Sequence, residues 1–454
     1  MFAQRSLIVP AALLAIATLM GGCFRVEAAS PLRLTQPATS SSSTAVAPVA
    51  AASIWPERWS ATEAMGEIVP VEGPLSAWAG VRLGPEHYLR GGPDDSADAE
   101  AVAKVAGTDT GYRYVLEGPG SFIFQRRDGD RKARWTSSSP AEMFKFVSAR
   151  PLGVMQDITV VSLERTWMAY YDAATEDTRG LLVLVPGLFG VPEPVDDRFV
   201  EMCREDGWAV MRLLAPPSRF TAHSTFRIDQ MDLDASAVPI ARELGQRAAE
   251  TAYAVEAGVE HVLDEHPGLK ALPHALVGMS GGAIALSTVY ARTPEQWDAA
   301  VFIAGGSNFL LTNEHSNYAS WVQALQFDWG GAEPTAGERA AIMKELGQRY
   351  LEHAPLDAYH LAPLLRDKPV LVLHGKTDKA VPAVYGDELW EQLGEPERWV
   401  FPVGHEILFI TLNAQTARIL RWLDKAVGPV SDRNESIELE ENTEDSSPPP
   451  ADQP

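Results

Sequence analysis

Short apolar runs separated by amphipathic stretches dominate the chain from about residue 155 onward. Six runs are apolar at nearly every position, which is typical of strands buried on both faces of a parallel sheet. They are LLVLV (181–185), AVMRLLAP (209–216), HALVGM (274–279), AAVFIAG (299–305), PVLVLHG (369–375) and RWVFPVG (398–404). Helical patterns lie between them, for example at 240–266 and 383–394. This alternation predicts an α/β fold with a mostly parallel, doubly wound sheet flanked by helices.

Two parts of this region depart from simple alternation. Residues 158–165 and 166–174 each alternate between apolar and polar positions, which predicts two strands of a hairpin. About sixty residues separate the runs 299–305 and 369–375, which is too long for a simple crossover. We therefore predict a helical cap insertion at about 307–366, over the carboxyl ends of the strands, where open α/β sheets bind ligands.

The N-terminus has the pattern of an export signal. Arg5 precedes an apolar run at 6–20, and the run is followed by Gly-Gly-Cys23. This resembles a bacterial lipobox, so we predict a signal peptide at 1–22 and lipidation of Cys23. The alternative is ordinary cleavage after Ala28. The first case implies a membrane-anchored lipoprotein of the cell envelope, and the second a soluble periplasmic or secreted protein.

Composition divides the remainder of the chain into further segments. Residues 23–53 are rich in Ser, Thr, Ala and Pro and predict a flexible tether. Residues 54–154 are mixed in pattern, and we expect an N-terminal extension or a small accessory region with one candidate strand at 121–127. The α/β domain is expected at 155–427. Residues 428–454 are acidic and poor in apolar side chains, which predicts a disordered tail.

Charge and cysteine content exclude some classes of partner and of stabilisation. The formal net charge of the 454 residues is −23, which disfavours binding to nucleic acid because phosphates repel an acidic surface. The chain contains two cysteines, Cys23 and Cys203. A lipidated Cys23 leaves no internal disulfide to form, so stability has to come from the core. We predict that Cys203 is a buried, inert thiol.

One glycine-rich segment suggests catalytic chemistry. Ser280 lies in the pattern G-x-S-x-G, directly after the run 274–279 and before the apolar helical pattern 283–291. Glycines at positions 278 and 282 permit a sharp strand–turn–helix elbow that lifts the serine hydroxyl above the sheet edge. The pentapeptide alone is a weak signal, because small residues also collect at tight turns for steric reasons.

Two loops farther along the chain strengthen the catalytic interpretation. Asp378 follows the run 369–375, and His405 follows the run 398–404. With Ser280 they give the order Ser, Asp, His at three strand ends. In this respect the chain resembles the α/β-hydrolase superfamily, with serine esterases and lipases among its members. The resemblance covers residues 155–427.

The resemblance implies a role for each of these residues. Ser280 would be the nucleophile and His405 the general base, and Asp378 would orient the imidazole. The backbone N–H groups of Gly281 and Leu188 would form the oxyanion hole. Pro186 stands where many relatives carry histidine, so the hydrogen bonds around that loop should differ.

Other titratable residues have simpler interpretations. His374 precedes Asp378 in the chain and is expected to be structural. His223 either lines the pocket or lies in a solvated loop, and Glu406 is a surface group or a support for its neighbour His405. Asp424 lies inside the last helical pattern, which is a poor position for the triad acid.

We expect neither a cofactor nor a metal. No histidine pair has ligand spacing, and no nucleotide-binding glycine motif is present. The predicted partner is a small-molecule ester or acyl substrate. The first functional hypothesis is a serine hydrolase that cleaves a carboxylic ester, or an amide as second choice, through an acyl-enzyme. An acyltransferase, a peptidase with the same triad, and a non-catalytic binding lipoprotein remain alternatives.

Overall fold

The computed structural model describes residues 54–56, 59–64, 112–118, 121–126, 132–136, 142–155, 158–187, 193–214, 223–331 and 333–428. The expected signal peptide, lipidation site, tether and acidic tail lie outside these residues. Within the described ranges, no helix combines the length and the apolar composition that a membrane span requires.

The described residues form fourteen strands and ten α-helices. The strands are β1 (Trp59–Ala64), β2 (Tyr112–Gly118), β3 (Ser121–Arg126), β4 (Lys132–Thr136), β5 (Glu142–Met155), β6 (Ile158–Tyr171), β7 (Gly180–Val185), β8 (Trp208–Leu213), β9 (Ser224–Arg227), β10 (His274–Met279), β11 (Ala299–Ile303), β12 (Leu325–Asp328), β13 (Val370–Gly375) and β14 (Glu397–Phe401). The α-helices are α1 (Glu193–Glu205), α2 (Leu233–Glu265), α3 (Gly281–Arg292), α4 (Phe309–His315), α5 (Ala319–Val322), α6 (Ala336–His353), α7 (Ala358–Leu361), α8 (Ala383–Gln392), α9 (His405–Ile410) and α10 (Asn413–Val427). Short 3-10 helices lie at Pro267–Leu269, Pro294–Gln296 and Ala362–Leu365.

Nine of the strands form one sheet in the order β1-β5-β6-β8-β7-β10-β11-β13-β14. The strands from β8 to β14 in this order pair in parallel, and β1, β5 and β6 add an antiparallel edge. Each of the six apolar runs of the sequence forms one of these parallel strands, and helices cover both faces of the sheet. The predicted α/β-hydrolase fold, with its mostly parallel and doubly wound sheet, is confirmed.

The core lies in two layers, one on each face of the sheet. One layer contains Leu182, Leu184 and Val277 with side chains of α1 and α10, and the other contains Leu181, Val183 and side chains of α2 and α3. Successive residues of one strand thus enter opposite layers, as the period of a strand requires. Because both layers exclude water, β7, which lies between them, is buried and apolar at each of its six positions.

The antiparallel edge corrects the predicted hairpin. Residues 158–171 form one continuous strand, β6, and its hairpin partner is β5 at residues 142–155. The prediction of two strands at 158–165 and 166–174 was wrong. The chain does not turn at Arg165 and Thr166, and the strand continues through both residues. The predicted domain boundary at residue 155 falls between the two paired strands. The candidate strand at 121–127 is present as β3 in a separate three-stranded sheet.

The insertion between β11 and β13 contains helices α4–α7 and one strand that its helical pattern did not predict. That strand, β12, pairs in parallel with β9, which follows β8 in the chain. A third hydrophobic core lies between the insertion and the first half of α2, and it contains Ile240, Leu346 and Tyr350. The insertion therefore packs on a helix of the main domain as well as on its own elements.

Asp357 joins the two ends of the insertion, the start of α4 and the segment after α6. Its side chain is 1% exposed. It accepts hydrogen bonds from the backbone N–H groups of Asn308 (2.9 Å), Phe309 (2.8 Å) and Tyr359 (2.9 Å) and from the hydroxyl of Tyr350 (2.7 Å). A buried carboxylate with this many donors holds the start of α4 and the end of α6 at fixed positions.

We expect Asp357→Ala to lower the free energy of unfolding by about 3–5 kcal/mol, because three N–H groups and a hydroxyl lose their acceptor in a dry environment. Urea denaturation of the purified protein measures this loss. Tyr350→Phe is the matched control, since it removes one of the four donors and should cost about 1 kcal/mol. Equal losses for the two variants would contradict the anchoring role of Asp357.

Candidate active site

Ser280 occupies a strained elbow between β10 and α3. Its backbone angles are φ 51° and ψ −116°, a left-handed conformation that a residue with a side chain rarely adopts. The Ser280 N–H donates to the carbonyl of Ile303 at 2.8 Å, and its own carbonyl accepts from the N–H of Ile284 at 3.0 Å. The elbow is thus fixed to the neighbouring strand β11 on one side and to its own helix on the other.

Two glycines allow this elbow to form without a clash. A Cβ atom at Gly278 would lie 2.7 Å from the Cα of Ala283. A Cβ atom at Gly282 would lie 2.1 Å from the carbonyl oxygen of Val185 and 2.6 Å from that of Pro186. The first turn of α3 therefore lies directly against the loop that follows β7, as the predicted elbow requires.

The predicted oxyanion hole is described only in part. Gly281 begins α3, where the first amides of a helix have no partner within it. Gly187 lies on the β7 loop, and a Cβ atom there would lie 3.0 Å from the Cβ of Ser280. Leu188, the second predicted donor, lies outside the described residues. The part of its loop that is described, Pro186 and Gly187, does reach the serine.

Of the three predicted triad residues, His405 lies within hydrogen-bond distance of both Ser280 and Asp378. The distance from His405 Nε2 to Ser280 Oγ is 2.9 Å, and the distance from His405 Nδ1 to Asp378 Oδ2 is 2.7 Å. A carboxylate can only accept, so the Nδ1–H donates to Asp378 and Nε2 is left to accept from the Ser280 hydroxyl. The side chains of His405 and Asp378 are 6% and 0% exposed.

The loop that carries Asp378 holds this carboxylate in one orientation. The other oxygen, Oδ1, accepts from the N–H groups of Ala380 and Val381 at 2.9 Å each. The N–H of Lys376 donates to the carbonyl of Phe401 at 2.8 Å, and that of Thr377 donates to the carbonyl of Val403 at 3.1 Å. The pairing of β13 with β14 thus continues into the two loops and brings Asp378 to His405.

His405 is the first residue of α9, and two aromatic rings contact its imidazole. The ring of Phe409, one turn later, lies 4.9 Å away between centroids, and the ring of Tyr318, from the insertion, lies 6.0 Å away and perpendicular. The Tyr318 hydroxyl donates to Glu406 Oε1 at 2.7 Å. The sequence interpretation placed Glu406 at the surface or in a supporting role, and it did not find Tyr318.

The pKa values of Glu406 and Tyr318 depend on each other, and that of Glu406 depends also on the nearby His405. Partial burial acts to raise the pKa of the Glu406 carboxyl, but the hydrogen bond from Tyr318, a backbone N–H and the nearby His405 together lower it. Burial and the neighbouring Glu406 carboxylate raise the pKa of the Tyr318 phenol. The tyrosine therefore remains a donor, and the glutamate remains an anion, over the neutral pH range.

The remaining candidates from the sequence lie in different surroundings. His223 is exposed, and its Nδ1 lies 2.7 Å from the carbonyl of Gln323. Cys203 is buried, and burial raises the pKa of its thiol, which makes the nucleophilic thiolate scarce. Asp424 pairs with Arg179 on the surface of the domain. In the described part of the chain, no three His, Cys, Asp or Glu residues are placed to hold a metal ion.

His374 is buried close to the candidate triad. It is 1% exposed, and within the described residues neither ring nitrogen has a hydrogen-bond partner. A Cβ atom at Gly386 would lie 2.1 Å from its ring, so α8 packs directly on the imidazole. Burial is the largest cause that lowers the pKa of His374, and the charge of Arg398 also lowers it. Asp378 and Asp387 act in the opposite direction.

No protein-family model and no curated protein matches the chain. Similar solved structures include an esterase of Pyrococcus furiosus, with 13% identity over 58% of this chain and 89% of that one, at a TM-score of 0.37. A cold-adapted esterase from an Arctic intertidal metagenomic library has 16% identity over 63% and 95%, at a TM-score of 0.35. The acylaminoacyl peptidase of Pyrococcus horikoshii has 11% identity over 70% and 55%, at a TM-score of 0.41. At such low values the likeness carries no argument about activity.

We expect Gly282→Ala to disrupt the elbow, because the new Cβ would overlap the carbonyl oxygens of β7 and its loop. The variant should either fail to fold or lose reaction with a fluorophosphonate by about 100-fold, since a displaced donor typically costs a few kcal/mol. Gly337→Ala is the control, because a Cβ atom there meets nothing within 4 Å. A Gly282→Ala protein that reacts as fast as the Gly337→Ala protein would contradict the close contact.

We expect stability to fall as the pH drops below about 6.5, the ordinary pKa of histidine. The lowered pKa of His374 means that the unfolded chain binds a proton more readily than the folded chain does. Stability from this residue is complete above that pH and is lost as the pH falls toward the lowered value. His274, whose pKa burial also lowers, acts in the same direction.

Thermal midpoints between pH 8 and pH 5 test this expectation in wild type and His374→Leu. The variant should lose part of the acid destabilisation. The same variant at pH 8 is the control for changes in packing, because the wild-type imidazole is neutral there. A pH dependence identical in the two proteins would show that His374 makes no contribution.

Proposed function

We propose that the protein is a serine hydrolase that cleaves a carboxylic ester through Ser280, His405 and Asp378. The observation that carries the proposal is the continuous hydrogen-bond path from Ser280 Oγ through the His405 imidazole to a buried carboxylate. A serine hydroxyl becomes a useful nucleophile when an adjacent imidazole accepts its proton. The strained elbow and the free amides of the α3 N-terminus supply the other half of the chemistry.

In the proposed reaction, Ser280 Oγ attacks the carbonyl carbon of the ester while its proton moves to His405 Nε2. The carbonyl oxygen becomes an oxyanion, and the N–H of Gly281 donates to it together with a second amide that we assign to Leu188. The C–O bond to the leaving group then breaks, and Nε2–H gives the proton to the departing alkoxide. The product of this half is an acyl-Ser280 enzyme.

Water then hydrolyses the acyl-enzyme, and His405 again acts first as the base and then as the acid. His405 Nε2 accepts a proton from the water as its oxygen attacks the acyl carbon. The second tetrahedral intermediate collapses, the carboxylic acid leaves, and Ser280 Oγ regains its proton from Nε2. Asp378 accepts from Ala380 and Val381 as well as from the imidazole, and this fixed acceptor stabilises the imidazolium that forms next to it.

Labelling with a fluorophosphonate, followed by intact-mass and peptide analysis, tests the proposal together with hydrolysis of p-nitrophenyl esters of graded acyl length. We expect one label on Ser280. Ser280→Ala should lose labelling and about 10⁴-fold or more in kcat, and Asp378→Asn about 10⁴-fold in kcat.

Ser287→Ala provides the matched control. Ser287 lies on the same helix α3 and is fully buried, and its hydroxyl has no partner among the described residues. Its removal should leave labelling and hydrolysis close to wild type. Esterase activity that survives in Ser280→Ala, or a label on another residue, would overturn the proposal.

Export and lipidation at Cys23 are proposals that concern a different part of the chain. A lipidated N-terminus would place the hydrolase at a membrane surface of the cell envelope, and cleavage after Ala28 would release it as a soluble protein. Mass analysis of the mature N-terminus from a bacterial host distinguishes these two outcomes.

A further inference from the structure

The segment His315–Tyr318, which we call the strap, joins α4 to α5 inside the insertion. It contacts both of the loops that carry the proposed base and acid. The sequence interpretation assigned no function to this segment. Its contacts fall into two groups, one on the acid side of the site and one on the base side.

On the acid side, two residues of the strap are attached to the loop and helix that follow β13. The N–H of Asn317 donates to the carbonyl of Lys379 at 2.8 Å, and Lys379 is the neighbour of Asp378. His315 Nδ1 lies 2.5 Å from the hydroxyl of Tyr385 on α8, and the two rings are stacked with centroids 5.8 Å apart. The strap is therefore tied to the acid loop at one point and to α8 at another.

On the base side, Tyr318 makes two contacts at once. Its hydroxyl donates to Glu406 at 2.7 Å, and its ring meets the imidazole of His405 perpendicularly at 6.0 Å. Glu406 follows His405 in the first turn of α9. The hydrogen bond thus holds the helix turn on which the imidazole is mounted, while the ring limits the space into which the imidazole can move.

The rest of the site shows why such a tie has an effect. Asp378 is fixed within its own loop by two N–H groups, whereas among the described residues the two His405 ring nitrogens contact only the proposed acid, Asp378, and the proposed nucleophile, Ser280. The orientation of α9 therefore decides where the imidazole lies. Backbone hydrogen bonds join the loop that carries Asp378 to the loop that precedes His405. The strap connects the same two segments a second time, through Lys379 and Glu406.

We propose that Tyr318 and Glu406 are positioning residues, through which the insertion holds His405 in its reacting orientation and places a carboxylate beside the imidazolium. This inference rests on the proposed function and assigns a role within the same site. A small loss of alignment between base and nucleophile is costly to rate, because the productive geometry is narrow. The insertion would then be part of the catalytic apparatus and more than a cover for the substrate.

Two isosteric variants separate the two effects. Tyr318→Phe keeps the ring and removes the hydroxyl, so we expect kcat for p-nitrophenyl acetate to fall by roughly 5- to 30-fold with little change in KM. Glu406→Gln keeps an oxygen that accepts from Tyr318 and removes the charge. Because an anion favours the imidazolium, its removal should move the acidic limb of the kcat/KM–pH profile to lower pH by about half a unit.

The double variant tests whether the two residues act as a pair. If the hydrogen bond is the shared element, Tyr318→Phe with Glu406→Gln should lose no more kcat than the worse single variant. Tyr359→Phe is the control for a hydroxyl of the insertion outside the strap, and it should retain wild-type rates. Thermal midpoints identify any variant whose loss of activity comes from unfolding.

The outcome distinguishes this inference from the proposed function. Tyr318→Phe with kcat within twofold of wild type, together with a Glu406→Gln profile that superimposes on wild type, would overturn the positioning role. Ser280 labelling in the same proteins would then leave the hydrolase assignment standing. Activity in Ser280→Ala would instead remove the basis for both.

Discussion

The contact between Gly282 and the carbonyl oxygens of Val185 and Pro186 is the constraint on which the site depends. A Cβ atom at Gly282 would overlap these oxygens. The backbone of the first turn of α3 therefore packs directly against the backbone at the end of β7. This contact sets the angle of the elbow and brings Gly187 against Ser280. The start of α3 and the described part of the loop after β7 therefore both lie against the serine.

The insertion shares this rigidity with the main domain. Asp357 binds the start of α4 to the end of α6, and the core around Tyr350 packs against the first half of α2. The strap leaves this framework and reaches Lys379 and Glu406. A displacement of the insertion would therefore be transmitted to the segments that carry Asp378 and His405, because each link along this path is a directed hydrogen bond or a packed ring.

Much of the fold could be predicted from the sequence because buried parallel strands are apolar on both faces, and five of the six runs formed such strands, while the sixth formed the edge strand β14. The proximity of Ser280, Asp378 and His405 could also be predicted, because each lies on the turn or loop after the carboxyl end of a strand and such ends meet at one sheet edge. The position of Tyr318 beside His405 could not be predicted. It lies in an insertion whose helical pattern also conceals β12, and its contact with Glu406 spans 88 positions. Only the packing of the insertion on the domain brings them together.

The hairpin failed for a different reason. Alternation identified residues 158–171 as strand but could not show that their partner is β5, since a register is set by cross-strand partners that periodicity does not reveal. The last helical pattern of the sequence, at 407–427, likewise conceals a break, because α9 ends at Ile410 and α10 begins at Asn413. Apolar periodicity continues across such a break, and periodicity alone does not detect it.

The burial of Cys203 gives the described part of the chain a surface without a reactive thiol. In a protein that begins after Cys23, a single cysteine introduced on the strap or on α9 would be the one accessible site for a fluorophore or a spin label. Pairs of such labels could follow the distance between the insertion and the base helix while a substrate is turned over. Because Cys203 is buried and would not react with the label, the signal would report only on the introduced positions.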